Sequence, residues 1–169
     1  IKTKENQKMN KTIYLAGGCF WGTQKYLDQL DAVVETEVGY ANGTTQAPTY
    51  EEVCHNNTGH AETVRVMYDA DQISLPELLQ YYFRSINPTA INRQGEDHGS
   101  QYRTGIYYTD AAEEPVIRQQ LDLLAQNWKD PIAVECLPLS RFDPAEEYHQ
   151  KYLEKNPNGY CHLDPSLFA

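Results

Sequence analysis

Cations are scarce in this chain: 14 Lys and Arg stand against 24 Asp and Glu, a formal net charge of −10 over 169 residues. With no basic stripe to offset that balance, a nucleic-acid or other phosphate-binding surface is not expected. Long apolar runs are missing as well, so neither a membrane span nor a signal-peptide core is read. Cysteine is sparse, at positions 19, 54, 136 and 161, without a CxxC pair. That spacing argues against a disulfide scaffold and against a structural metal. Repeats, low-complexity tracts and linkers between domains are also lacking. What remains is 40% hydrophobic and 22% charged residues, the make-up of one soluble globular domain with a real core. The polar, lysine-rich "IKTKENQK" precedes Met9. Residues 1–10 are therefore read as a tail or linker, and 11–169 as a single domain.

Strands and helices alternate along that domain. "KTIYLA" (11–16), "AVVETEVGY" (32–40), "AETVRVMYD" (61–69), "RTGIYYT" (103–109) and "PIAVECLP" (131–138) read as strands, the second with Val34, Val38 and Tyr40 on one face. "SLPELLQYYFRSI" carries a helical stripe with Ser74 and Glu77 at capping-box spacing. "EPVIRQQLDLLAQNW" places Ile117, Leu121, Leu124 and Trp128 on one side of a helix. "DPAEEYHQKYLEK" reads as a third such helix, with Asp143 as its cap and Pro144 in its first turn. Residues 87–102 form a long polar loop and 156–169 a glycine- and proline-punctuated tail. The pattern is that of a mixed α/β domain built on one sheet.

"GGCFWG" (17–22) carries the strongest chemical signal. It places Cys19 at a strand-to-helix turn, where free N–H groups and the helix dipole favour thiolate. Phe20 and Trp21 offer apolar walls for a small group. Burial as a packing residue is the competing reading, since free cysteines are usually buried. Glu62 shares a strand face with Val64, Val66 and Tyr68. If that face is the inner one, desolvation keeps its carboxyl protonated near neutrality, fit to act as a general acid. Otherwise it is a solvated glutamate at a strand end. Tyr50, Tyr102 and Asp97 are polar candidates for a pocket lining, weaker on residue type alone. Cys161, in the tail, suits a resolving thiol better than a packing role. Cys136 shares a strand face with Ile132 and Val134 and reads as structural, and Cys54 is given no role. A cysteine hydrolase using His55 or His60 as base, or a non-catalytic binding module, stays open on the residues alone.

Seven segments in unbroken order, "GGCFWG", "GYANG", "YEEV", "GHAETV", "QGEDHGSQYRTGIYY", "AEEYHQKYL" and "NPNGYC", resemble the peptide-methionine (S)-S-oxide reductase family, the A-type methionine sulfoxide reductases. The resemblance implies an α+β two-layer sandwich with a central mixed sheet flanked by helices, long functional loops and an irregular C-terminal tail. It implies Cys19 as nucleophile, Glu62 as acid, and Tyr50 and Tyr102 as hydroxyls on the sulfoxide oxygen. Phe20 and Trp21 match the aromatic box around the substrate methyl, and Asp97 a residue ordering the substrate side. Cys161 matches the resolving cysteine, giving a Cys19–Cys161 disulfide recycled by thioredoxin or a small dithiol, with no other cofactor and no metal. The implied substrates are oxidised proteins and free methionine S-sulfoxide. Neither nucleic acid nor membrane is an implied partner, and a cytoplasmic location is expected. Some members are fused to a B-type reductase. The N-terminal residues and the "LFA" end fit an excised domain of that kind, for which an exported or envelope-associated form is the alternative.

Overall fold

The computed structural model describes residues 9–44, 48–55 and 58–168. In chain order its regular elements are β1 (Asn10–Gly17), α1 (Phe20–Asp28), β2 (Val33–Ala41), α2 (Tyr50–His55), β3 (Ala61–Asp69), α3 (Leu75–Arg84), β4 (Arg93–Gln94) and β5 (Asp97–His98). They continue with β6 (Thr104–Tyr108), α4 (Glu114–Ala125), β7 (Glu135–Pro138), β8 (Phe142–Pro144) and α5 (Tyr152–Lys155). The main sheet runs β7-β6-β1-β3-β2-β8, and β4 with β5 forms a separate small hairpin inside the long polar loop. All neighbours in the main sheet are antiparallel except β6 and β7. The fold is α+β, with a mixed sheet flanked by helices, as expected.

Period-two alternation sorts the side chains of the central strands. Ile13 and Leu15 of β1, Val64, Val66 and Tyr68 of β3, and Ile106 of β6 enter one core with Leu27, Leu78, Leu79, Ile117 and Leu121 of the helices. Each large apolar side chain buried this way contributes about 1.5–3 kcal/mol. Ala16, Ala41, Ala61 and Tyr107 form a smaller cluster, packed by Tyr14, Leu139 and Phe142. At the start of α3 the expected capping box forms: Ser74 Oγ accepts from the Glu77 N–H at 3.2 Å, and Glu77 Oε1 accepts from the Ser74 N–H at 3.3 Å. The register also places the candidate residues. Leu15 lies opposite Val64, and Gly17 opposite Thr104. Extended by one more same-face pair, the β1/β3 register brings Gly17 level with Glu62. Glu62 is thereby buried on the helix-facing side at the end of the strand that leads into Cys19.

Several expectations need correction. Val34 is 52% exposed, because the β2/β3 register slips between Val33 and Glu35. A bulge adds one residue and turns the preceding side chains over. Trp128 lies beyond the end of α4 and is exposed. The helix expected from Asp143 onward is not formed there. Phe142–Pro144 is instead a strand, with Asp143 opposite Tyr40, and the chain proceeds through a 3₁₀ turn at Glu147–His149 to the short α5. Tertiary bonds outcompete helix propensity in this segment. Glu146 accepts from the Tyr40 hydroxyl at 2.7 Å and the Tyr50 N–H at 3.0 Å, while Gln150 bonds both the N–H and the C=O of Val38 at 2.9 Å. Lys151, at φ 56°, breaks the run. Of the expected N-terminal tail, residues 1–8 lie outside the described residues, but Asn10 already pairs with Asp69 and the Met9 C=O accepts from the Ala70 N–H at 2.8 Å.

The β8 docking gives a stability prediction. A Cβ on Gly39 would stand 2.5 Å from the Phe142 ring and 2.6 Å from the Asp143 carbonyl oxygen. Gly39→Ala is expected to destabilise the fold by about 1–3 kcal/mol, the usual cost of overpacking. A urea midpoint equal to wild type would contradict that packing.

Candidate active site

The turn after β1 is made by backbone geometry. Gly18 has φ +92°, a region costly for other residues, and Cys19 takes the N-cap position of α1 at φ −58°, ψ 124°. The Thr23 hydroxyl donates to the carbonyl of Gly17 at 3.2 Å or of Cys19 at 3.3 Å and tightens the turn. Cys19 is a free thiol, 5% exposed. Burial pushes it well above the ordinary cysteine range and the Glu62 carboxylate pushes in the same direction, while the N–H groups of Trp21 and Gly22 pull it down. The expected low-pKa thiolate is therefore not the resting state. The helix terminus does bond the sulfur, but desolvation outweighs it.

Glu62 is 1% exposed. Its Oε1 accepts the Phe20 N–H at 3.2 Å, and its Oε2 is buried without a partner. Burial raises its pKa to about 8, against the lowering effect of the Phe20 N–H and with a further rise from Asp97. At neutral pH the group is a carboxylic acid with one oxygen free to bond a ligand. Tyr50 opens α2, and Tyr102 ends the 3₁₀ turn after the β4–β5 hairpin. Both phenols are held far above their ordinary range, first by burial and next by the Glu62 charge, so both remain O–H donors. Asp97 of β5 is half-buried and accepts the Tyr160 hydroxyl at 3.1 Å.

Aromatic packing holds the two residues that follow the thiol. Phe20 is fully buried, its ring centroid 5.7 Å from Tyr40, 6.4 Å from Tyr50 and 5.2 Å from His149. Trp21 is half-buried and stacks on Tyr152 at 3.8 Å, and its Nε1–H donates to His149 Nδ1 at 2.9 Å. That bond leaves the His149 Nε2 as the protonated nitrogen, and this atom is buried and unpartnered. Cys161 sits close by: its Sγ lies 3.0 Å from the point where a Gly22 side chain would begin. Its segment is tied down rather than loose, by Tyr160 to Asp97, by His162 to the Gly17 carbonyl at 2.9 Å, and by Gln29 to the Leu167 carbonyl at 2.7 Å.

All eight candidates thus belong to one neighbourhood of interacting groups at the β1–α1 turn, with Cys161 reaching it along α1. His149, Tyr152, Tyr160, His162 and Cys54 border it without being marked by residue type or spacing. The first four sit inside "AEEYHQKYL" and "NPNGYCH", where a helix-like pattern in the first and a loose-tail composition in the second hide their contacts. Cys54, half-buried, is hydrogen-bonded to Tyr50 and Gln101. Of the two histidines considered as bases for a hydrolase, His60 accepts the Gly43 N–H on Nδ1 at 3.1 Å, and the His55 side chain is outside the described set.

Chemically, the site sets a thiol beside a neutral acid and two phenols, with apolar rings around them. Such a group can protonate and polarise an oxygen while sulfur attacks the atom that carries it. Comparison with known proteins points to one chemistry. Residues 11–168 match the family profile described as peptide methionine sulfoxide reductase. A "Peptide methionine sulfoxide reductase MsrA" of Lachnoclostridium phytofermentans is 58% identical over 160 residues, 95% of this chain and 96% of that protein. Among solved structures, reduced Mxr1 of Saccharomyces cerevisiae is 40% identical with a TM-score of 0.86, covering 90% of this chain and 89% of that one. Mxr1 in complex with Trx2 matches at 27% identity and a TM-score of 0.61, covering 91% of this chain and 87% of that one. By profile, sequence and fold together, the chain belongs to the peptide methionine sulfoxide reductase family.

Proposed function

We propose that this chain reduces methionine S-sulfoxide, free or within oxidised proteins, to methionine, with Cys19 as nucleophile and Glu62 as proton donor. The free Oε2 of a buried, neutral Glu62 is the observation that carries the reading. Sulfoxide sulfur is a good electrophile only when its oxygen is protonated or strongly hydrogen-bonded. Glu62 supplies the proton, and the O–H groups of Tyr50 and Tyr102 hold the oxygen. Phe20 and Trp21 enclose the methyl group, and Asp97 orders the substrate side. Cys19 sulfur attacks, oxygen passes to it, and methionine leaves. The thiol proton restores Glu62, so thiol plus sulfoxide becomes sulfenic acid plus sulfide with every atom accounted for. Cys161 then displaces the oxygen as water to form a Cys19–Cys161 disulfide, which an external dithiol reopens. The Mxr1–Trx2 complex supports a thioredoxin as that dithiol. No helix among the described residues is long and apolar enough to cross a membrane.

The test is consumption of each purified methionine sulfoxide epimer with dithiothreitol and then with thioredoxin. Loss of the S epimer alone, with both reductants, is expected; equal loss of both epimers, or of neither, overturns the reading. Cys161→Ser sharpens it. This variant should release one equivalent of methionine per enzyme and then stall with thioredoxin, yet continue with dithiothreitol. Full turnover with thioredoxin would remove Cys161 from the cycle.

A further inference from the structure

We propose that His162 is a positioning residue for the resolving step, its imidazole pinning Cys161 against Gly22 in the first turn of α1, the turn that Cys19 caps. The inference rests on the reading that Cys161 resolves the sulfenic acid on Cys19.

The imidazole lies against the glycines on either side of the Cys19–Trp21 stretch. A Cβ on Gly18 would meet His162 Nε2 at 3.0 Å. A Cβ on Gly22 would meet His162 Nδ1 at 3.0 Å and Cys161 Sγ at 3.0 Å. Glycine within a helix is costly in backbone entropy, and at position 22 its missing side chain is what admits both tail residues. Both sulfurs thus border one residue: the Gly22 N–H bonds Cys19, and Cys161 Sγ lies against the space a Gly22 side chain would fill.

The hydrogen bond sets the tautomer. A carbonyl only accepts, so at 2.9 Å from the Gly17 oxygen His162 Nε2 carries the proton. Nδ1 is then unprotonated, buried and without a partner. Burial holds the ring below the ordinary histidine range, against smaller upward pulls from the Gly17 bond and Asp97. The pin is thus a neutral N–H donor through the neutral range. The other nearby clasp, Tyr160 to Asp97, sits on the substrate side and is 44% exposed at Tyr160. His162 is bonded to the nucleophile's own turn.

In the step concerned, the S–O bond of the Cys19 sulfenic acid breaks and an S–S bond to Cys161 forms. Cys161 is oxidised, Cys19 sulfur is reduced, and the departing oxygen leaves as water with the Cys161 proton. Its rate depends on the effective concentration of Cys161 at the oxidised sulfur, which a pinned segment raises and a free one spreads out.

The experiment compares wild type, His162→Ala and His162→Gln as full chains. Each is reduced, mixed with stoichiometric methionine S-sulfoxide, quenched with an alkylating agent at intervals, and assayed for free methionine and for the Cys19–Cys161 disulfide by non-reducing peptide mapping. Methionine release should stay within about 2-fold of wild type in both variants. Disulfide formation should slow by about 10-fold or more in His162→Ala. It should recover most of that loss in His162→Gln, whose side-chain N–H replaces Nε2. Disulfide formation at the wild-type rate in His162→Ala, no recovery in His162→Gln, or methionine release slowed in parallel with the disulfide each overturns the proposal. A wild-type chain that releases methionine but joins Cys19 to another thiol identifies the reading of Cys161, not the pin, as the fault, and the proposal falls with it.

Discussion

Glu62→Gln is expected to slow the first release of methionine by about 10²–10⁴-fold at neutral pH, the range associated with losing a general acid. The amide keeps the size and a hydrogen-bond donor but has no proton to transfer, so substrate binding should change far less than the chemical step. The wild-type carboxyl titrates at about 8, and its own rate should fall as pH rises through that value. The gap between wild type and variant should therefore close on the alkaline side. Stability carries the same signature. Between the ordinary glutamate value of 4.5 and the folded value of about 8, the native state holds a proton that the unfolded chain has released. Wild-type stability should decline as pH rises across this window, by at most about 1.4 kcal/mol per unit, and the Glu62→Gln variant should lack that component. Single-turnover methionine release and urea unfolding, each followed between pH 5 and pH 9, check both halves. A variant rate equal to wild type at pH 7 would contradict the assignment of the acid.

Cys19→Ser is expected to abolish turnover with any reductant, dithiothreitol included. Serine preserves the N-cap and most of the volume, so the fold should survive. A hydroxyl in a site that already disfavours anions offers no useful nucleophile toward sulfur, and it forms no sulfenic acid. The raised thiol pKa adds a second expectation. In the resting chain Cys19 should alkylate slowly with iodoacetamide at neutral pH, since it is protonated and nearly enclosed. Any methionine released by Cys19→Ser at more than trace rate would move the chemistry to another residue.

Much of the fold was legible because the signals were local and periodic. The alternation in 61–69 put Glu62 on the face of Val64, Val66 and Tyr68, which the fold turns inward, and the glycine pair after 11–16 placed Cys19 at the mouth of a helix. Ser74 with Glu77 announced the start of α3. Most of the failures share one cause, which is tertiary contact overriding local preference. "DPAEEYHQKYLEK" has the composition of a helix, but Glu146, His149 and Gln150 are committed to Tyr40, Tyr50, Trp21 and Val38. A single bulge turned Val34 outward. Position at a helix N-terminus argued for a thiolate, whereas the decisive quantity, the depth of Cys19 beside an ionisable Glu62, depends on long-range packing. The tail looked loose because its anchors, Gly17, Asp97 and Gln29, are far away in sequence.

The central claim is that oxygen passes from substrate sulfur to Cys19. The most direct measurement traps it: Cys161→Ser, fully reduced, is given one equivalent of methionine S-sulfoxide in the presence of dimedone, and the chain is mapped by mass spectrometry while released methionine is counted. One dimedone adduct on Cys19 for each methionine formed is the predicted result. Methionine released with Cys19 unmodified, or with the adduct on Cys54 or Cys136, would contradict the account.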